Sequence, residues 1–317
     1  MSIDFNPNTL MIDSGAFSVW NNGGKVNLKK YISFCFEYLD ELDIIVALDV
    51  IPGSPGDRLS LTKNNIDEAC KEGWKNYKRM IKAGLPKEKV VPVFHQNDDF
   101  KWLERYMEYG VPYLGISPAN DCSSGLRRLW LDSCMKHICD KDGMPLCKFH
   151  GFAVTSIPLM VRYPWYSCDS ASWLKFAIYG TVLIPHRKQD GGWDFLNSPQ
   201  CVFFSSKIGK SAKEKGNHYS FLSKHMRRVL DNYLAIAGSE FGKSKYRKED
   251  LKYKHDAVHE NIYERNEDHL VIEEIVVPGV SNSIEWRCHV NKHYYESVEK
   301  RLDWPRPFKH GGRRKLL

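Results

Sequence analysis

Three aspartates and two histidines stand at the ends of apolar runs in the first 170 residues. Side chains of these types carry nucleophilic and acid/base chemistry when a fold gathers them. The segment IDSGAFSVW (12–20) sets Asp13 after an apolar run and follows it with a small, glycine-containing turn that lets backbone approach a ligand closely. ALDVIP (47–52) presents Asp49 in the same way, and WYSCDSASWLKFAIYG (165–180) presents Asp169 just before a helical stretch. For Asp169 a structural reading competes, because helix N-termini favour negative charge and the carboxylate would cap a helix over 170–179 equally well. His95, Ser117 and His150 end three further runs. Strand ends enter loops, which accounts for some polarity there, but less readily for three aspartates and two histidines.

The elements that would position these groups are short apolar runs alternating with amphipathic stretches, the pattern of repeated βα units around a parallel sheet. The runs are TLMID (9–13), DIIVALD (43–49), VVPVFH (90–95), PYLGIS (112–117), LCKFHGFAV (146–154) and WYSCD (165–169). Between them, 61–83, 98–109 and 126–138 have helical spacing. In the last, Leu126, Leu129, Trp130, Cys134 and Ile138 share a face. In a β/α barrel the C-terminal strand ends converge on one mouth, where catalytic groups sit. Such a barrel needs eight strands and only six runs precede residue 170. Either GTVLIP (180–185) and CVFFSS (201–206) supply the other two, or closure is imperfect. Farther on, 219–238 reads as a helix and EEIVVPG (273–279) as a late strand or buried extended segment.

The chain has 317 residues, 42% apolar and 13% aromatic, enough to bury a full core in one large domain or one domain with an appendage. No segment approaches the roughly 18 consecutive apolar residues of a membrane helix, and MSIDFNPNTL has no signal-peptide character, so a cytosolic protein is expected. Nine cysteines, odd in number and without a CxxC pair, suggest reduced thiols rather than disulfides or a zinc ribbon. Cys134, Cys139 and Cys147 are close together, but their spacing suits no standard zinc site.

The net charge of +7 is unevenly placed: 1–200 holds 23 basic and 23 acidic residues, whereas 201–317 holds 23 and 16. Between Lys207 and Lys254, 13 basic residues face 5 acidic ones, with Tyr219, Phe221, Tyr233, Phe241, Tyr246 and Tyr253 interleaved. That pattern suits a nucleic-acid-binding surface, and a solvated helical face would look similar. The expected division is a β/α domain over 1–206 and a basic, mainly helical region over 207–317, with no low-complexity linker between them.

DSGAFS (13–18) together with DSASW (169–173), with ALD, VFH, GIS and HGF in order between them, resembles the paired signatures of the tRNA-guanine transglycosylase superfamily. The resemblance covers roughly residues 10–180. It is strongest to the phage and bacterial DNA-guanine transglycosylases of the deoxypurine-in-DNA protein A (DpdA) family, and it implies a β/α barrel. Asp169 then matches the nucleophile that attacks C1′ of the target nucleoside, and Asp13 the acid/base aspartate that handles protons on the departing and incoming bases. Asp49 matches the carboxylate that accepts from N1–H and the exocyclic amine of a guanine-like base, an edge made of donors. His95 or Gln96, Gly115 and Ser117 fall where the family reads the base carbonyl and the seven-position substituent. Phe17 either stacks on the base or packs at the barrel top. His150 either lines the pocket and contacts a sugar or is a buried structural histidine.

The superfamily's zinc signature of three cysteines and a later histidine is absent, since only Cys201 and Cys288 follow Asp169. No structural zinc and no cofactor are expected. The barrel strands expected before DSGAFS are also absent, so the N-terminus is shortened or topologically compensated. The resemblance implies DNA as substrate and a 7-deazaguanine such as preQ0 as incoming base, with the target base extruded from the duplex. The basic 207–254 segment would supply backbone contacts and stacking. The competing readings are the same chemistry on tRNA, a non-catalytic nucleic-acid-binding partner subunit, and an unrelated barrel hydrolase using Asp13 and Asp169 on a sugar.

Overall fold

The computed structural model describes residues 9–55, 61–119, 122–205, 216–250, 262–265 and 269–308, which form two compact units. The first comprises residues 1–155, 159–170 and 304–317; the second, 156–158 and 171–303. Composition marks a boundary at 206 and compactness marks one at 170.

All six apolar runs of the first unit contain strands: β1 (Met11–Ile12), β2 (Ile44–Val46), β3 (Val90–Val91) with β4 (Val93–His95), β5 (Tyr113–Ser117), β6 (Lys148–Gly151) and β7 (Ser167–Cys168). Each pairs in parallel with its sequence neighbour: Ile12 with Ile45, Ile45 with Val90, His95 with Ser117, Gly115 with His150, and His150 with Ser167. Pro92 separates β3 from β4, because a residue without an N–H interrupts the ladder. Two parallel sheets result, in the orders β1–β2–β3 and β4–β5–β6–β7, and within each the strand C-termini open on the same side.

Helices return the chain between strands. α1 (Ala16–Asn21) and α2 (Leu28–Glu37) follow β1, and α3 (Lys63–Lys82), α4 (Phe100–Glu108), α5 (Ser124–Ile138) and α6 (Ile157–Arg162) follow β2, β4, β5 and β6. Their starts are written locally: Asn27, Thr62, Asp99 and Ser123 each accept a backbone N–H of the first turn. α5 turns inward Trp130, Cys134 and Ile138 of the face its spacing suggested, but not the two leucines at its start. Leu131, Cys134, Met135 and Ile138 are buried, whereas Leu126 and Leu129 are exposed. Ile45, Val90, Phe94, Leu114, Ile116 and Phe149 from the strands pack with these helices into one core.

The second unit holds α7 (Ser172–Ile178), β8 (Thr181–Ile184), β11 (Gln200–Phe203), α8 (Lys224–Ile236) and α9 (Ile284–Glu299), with β9 (His186–Arg187) and β10 (Trp193–Asp194) forming a short hairpin. The two runs that were candidates to complete a barrel instead pair with each other antiparallel, Thr181 opposite Phe203 and Ile184 opposite Gln200. Among the described residues no closed barrel forms. The buried Asn291 on α9 explains part of this unit's order: its Oδ1 accepts from Leu183 N at 2.8 Å and its Nδ2 donates to the carbonyls of Trp173 and Thr181.

The C-terminal region is not mainly helical. β12 (Lys243–Asp250), β13 (Ile262–Arg265) and β14 (His269–Val277) form an antiparallel sheet in the order β12–β14–β13. β14 lies at its centre and buries Leu270 and Ile272, while Lys243 and residues 245–248 of β12 are exposed and β12 pairs through its backbone. The helix expected over 219–238 is a single 3₁₀ turn at Tyr219–Phe221 followed by α8, which Ser223 caps.

Candidate active site

The parallel order delivers every singled-out polar group to one edge of the first unit. Asp13 follows β1 and Asp169 follows β7 directly, His95 and Ser117 end β4 and β5, and His150 lies one residue before the end of β6. Asp13, Phe17, Asp49, His95, Gln96 and Ser117 line a single cavity of about 780 Å³, the size range of a small-molecule site. Gly115, His150 and Asp169 do not line it.

Asp49 is held by its neighbours. Its Oδ2 lies 3.0 Å from His95 Nε2, and its Oδ1 accepts from the Ser14 hydroxyl at 3.3 Å. Asp98, a residue that spacing did not single out, completes the arrangement: its carboxylate is 3.5 Å from His95 Nδ1 and accepts from His95 N at 2.8 Å. Burial opposes charge on the imidazole, but hydrogen bonds from the two carboxylates outweigh it and push His95 up to about 10. His95 is thus an imidazolium at neutral pH, with both N–H groups turned to carboxylates. Gln96 serves the next loop, its Oε1 accepting from Ala119 N at 2.9 Å. Among the described residues, the acidic side chain three positions after His95 is the signal that would have found Asp98 from sequence.

A pH prediction follows from the sign of that shift. A histidine whose folded pKa lies above its unfolded value contributes stability that is complete below about 6.5 and is lost as pH rises through about 10. Unfolding free energy from denaturant titrations should fall across this interval by about 2 kcal/mol more in the wild type than in His95→Gln. Parallel curves for the two proteins would mean that the imidazolium is not formed.

Gly115 acts from behind the cavity wall. A Cβ at this position would lie 2.5 Å from Phe152 Cε2 and 3.2 Å from the Pro92 carbonyl, so only glycine admits the ring. Phe152 itself lines the cavity and lies edge-on to His150, with ring centroids 4.5 Å apart. Gly115→Ala should cost about 1–3 kcal/mol in urea unfolding, the usual cost of overpacking. It should also shift Phe152 and weaken binding of a planar ligand. Unchanged stability together with unchanged binding would remove this role. Phe17 is 64% exposed at the cavity rim, 5.9 Å from Trp20, and so is free on one face for a ligand.

The two outer aspartates are driven in opposite directions. Burial, the charge of Asp49 and the charge of Asp169 raise Asp13 above the ordinary aspartate range, against amide hydrogen bonds from Ser14 and Gly15. Asp169 also feels burial, but the His150 hydrogen bond and charge and the Ala153 amide reverse it and hold the carboxyl below its usual value. Its Oδ1 lies 3.2 Å from His150 Nε2 and accepts from Ala153 N at 3.0 Å. Ala153 takes φ = 54°, a left-handed conformation that costs an alanine about 1 kcal/mol and aims that amide at the carboxylate. Asp169 is not the cap of α7, whose N-cap position is Ala171. Two carboxyls with opposite protonation preferences are the arrangement that divides acid from nucleophile or base.

His150 is buried, 2% exposed, and contacts Asp169 rather than the cavity. In the basic region, Tyr233 is fully buried and Tyr219 packs on Phe204 and Phe241, whereas Phe221 and Tyr246 are exposed. Tyr253, with Lys207, Lys210, Lys213, Lys215, Lys252 and Lys254, lies outside the described residues. No disulfide forms among the described cysteines, and among the described residues no three or more His, Cys, Asp or Glu side chains are gathered as a metal site. No described helix is long and apolar enough to cross a membrane. No protein-family model matches the chain, and neither the curated proteins nor the solved structures contain a significant match.

Proposed function

We propose that this chain is a base-exchanging transglycosylase that replaces guanine in DNA with a 7-deazaguanine through a covalent glycosyl-Asp169 intermediate. The observation that carries the reading is the pair Asp13 and Asp169, one carboxyl raised and the other lowered, at the C-terminal ends of the first and last strands of the parallel run. An oxocarbenium-like C1′ needs a carboxylate on one face while the base departs from the other, and a departing purine needs a proton. Asp169 is suited to the first task and Asp13 to the second. The sequential, all-parallel strand order is that of a β/α barrel and supports the same family reading.

Asp49 is placed for the base. Its lone pairs not used by His95 and Ser14 accept from N1–H and the exocyclic amine, and Phe17 and Phe152 offer ring faces. A cavity of about 780 Å³ takes a purine only after the base leaves the helix, so the target is flipped or single-stranded. The basic 207–254 segment is assigned to backbone contacts, with Phe221, Phe241 and Tyr246 exposed among its described aromatic residues.

The test incubates the full chain with duplex DNA, single-stranded DNA or tRNA and radiolabelled preQ0, then digests the polymer and identifies labelled nucleosides. Label in deoxynucleosides is the expected result. Label confined to ribonucleosides would replace DNA with tRNA, and absence of both label and covalent adduct would overturn the reading.

A further inference from the structure

Beneath Asp169 lies a file of polar side chains that the exchange reaction as described does not use. Tyr113 on β5 and Ser167 on β7 flank His150 on β6, and the parallel register sets His150 opposite Ser167. The Tyr113 phenol is hydrogen-bonded to the Ser167 hydroxyl, whose Oγ lies 2.6 Å from His150 Nδ1. His150 Nε2 in turn lies 3.2 Å from Asp169 Oδ1, which also accepts from Ala153 N. Both contacts fall on the same oxygen. Neither of these two bonds engages Oδ2, and the Asp169 side chain is 58% exposed.

The direction of the protons follows from the acceptor at the end. A carboxylate only accepts, so Nε2 carries the proton, and a neutral imidazole then accepts at Nδ1. Ser167 donates there and receives from Tyr113. Burial pushes Tyr113 up to about 12, so its phenol keeps that proton at neutral pH.

We propose that His150 is a positioning residue: Tyr113 and Ser167 fix its Nε2–H tautomer, it and the Ala153 amide hold Asp169 Oδ1, and Oδ2 is the oxygen that attacks C1′. This rests on the transglycosylase reading. In the first half-reaction an Oδ2 lone pair forms the bond to C1′ as the C1′–N9 bond breaks, its electron pair going to guanine, which takes a proton from Asp13. In the second half N9 of the incoming base bonds to C1′ and passes its proton to Asp13. The C1′–Oδ2 bond breaks in the same step, and its electron pair returns to the carboxylate. Donors on Oδ1 favour that release, because they stabilise the carboxylate more than the ester. The titratable groups facing Asp169 are His150, Asp13 and Cys168. Burial keeps the Cys168 thiol protonated, and Asp13 is itself raised.

Carboxyl ¹³C NMR of Asp169 in the full chain reads its titration directly, and ¹⁵N NMR of His150 reads the tautomer without any variant. The expected wild-type spectrum has Nε2 protonated and Nδ1 bare. His150→Ala should raise the Asp169 midpoint by about one pH unit. His150→Gln, whose amide donates at similar reach and does not titrate, should keep it within about 0.3 of wild type. Exchange should fall about 10- to 100-fold in His150→Ala, the worth of one charge-assisted hydrogen bond, with the covalent adduct persisting longer, and should recover in His150→Gln. Should the alanine variant not fold, Ser167→Ala tests the same relay, since loss of the fixed tautomer must show in the His150 ¹⁵N shifts. A wild-type Nδ1–H tautomer, or one midpoint shared by all variants, would overturn the relay even with exchange intact. The expected spectra without any exchange by the wild type would instead remove the transglycosylase reading and leave the relay standing.

Discussion

Asp169→Ala is expected to form no covalent adduct with nucleic acid and to lose base exchange by about 10⁴-fold or more, as removal of a nucleophile does. The side chain is the group that meets the requirement: it follows β7 directly, keeps one oxygen free, and is held ionised by His150 and Ala153. Alanine removes the attacking oxygen and leaves the cavity around Asp49 and His95 untouched, so binding of the free base should stay within about threefold of wild type. The measurement is a denaturing gel of enzyme mixed with DNA, which retains a glycosyl ester, followed by label incorporation. Full activity in Asp169→Ala would place the nucleophile elsewhere. The acid limb of the wild-type rate profile should belong to this carboxyl, with activity lost as pH falls through its lowered pKa.

Asp13→Asn should lose about 10²- to 10⁴-fold in exchange while still binding DNA and free base, because it keeps the shape of the side chain and removes its transferable proton. Burial, Asp49 and Asp169 shift Asp13 toward its neutral form, so wild-type activity should decline as pH rises through its raised pKa. Asparagine removes that basic limb. Stability gives an independent check with a worked sign. A carboxyl raised in the folded state contributes most below its unfolded pKa and loses that contribution as pH rises through the folded one. At neutral pH the ionised Asp13 is therefore a cost, and Asp13→Asn should unfold at equal or slightly higher denaturant concentration. A variant that bound nothing, or one that exchanged bases at the wild-type rate, would remove Asp13 from proton transfer.

The same-edge placement of Asp13, Asp49, His95, Ser117 and Asp169 was legible in the chain because it is a local signal. Each lies at or just beyond an apolar run, and a parallel strand carries its C-terminal residue to the same side as its neighbour's. The six strands and the helix starts capped by Asn27, Thr62, Asp99 and Ser123 were equally local, depending on residues three or fewer positions apart. What pairs across strands was not. Tyr113 and Ser167 lie 54 residues apart and look like ordinary strand residues until the register brings them against His150. The functional weight of Gly115 depends on where the Phe152 ring lands, and that of Asp98 on His95 turning both nitrogens toward acids.

The misreadings share a cause. Runs 180–185 and 201–206 have the composition of buried strands, but composition carries no direction, and their partners proved to be each other in an antiparallel ladder. The charged stretch from 243 onward lacks apolar alternation because β12 is exposed, so its strand character came from the backbone of β14 and not from its own side chains. The sequence by itself determined the strands, their order along the chain and which polar groups stand at their ends, since these follow from hydrophobic spacing over a few residues. Only the tertiary structure decided which groups touch and which carboxyl is pushed up or down, because burial and the distance between charges are properties of residues that meet across the fold.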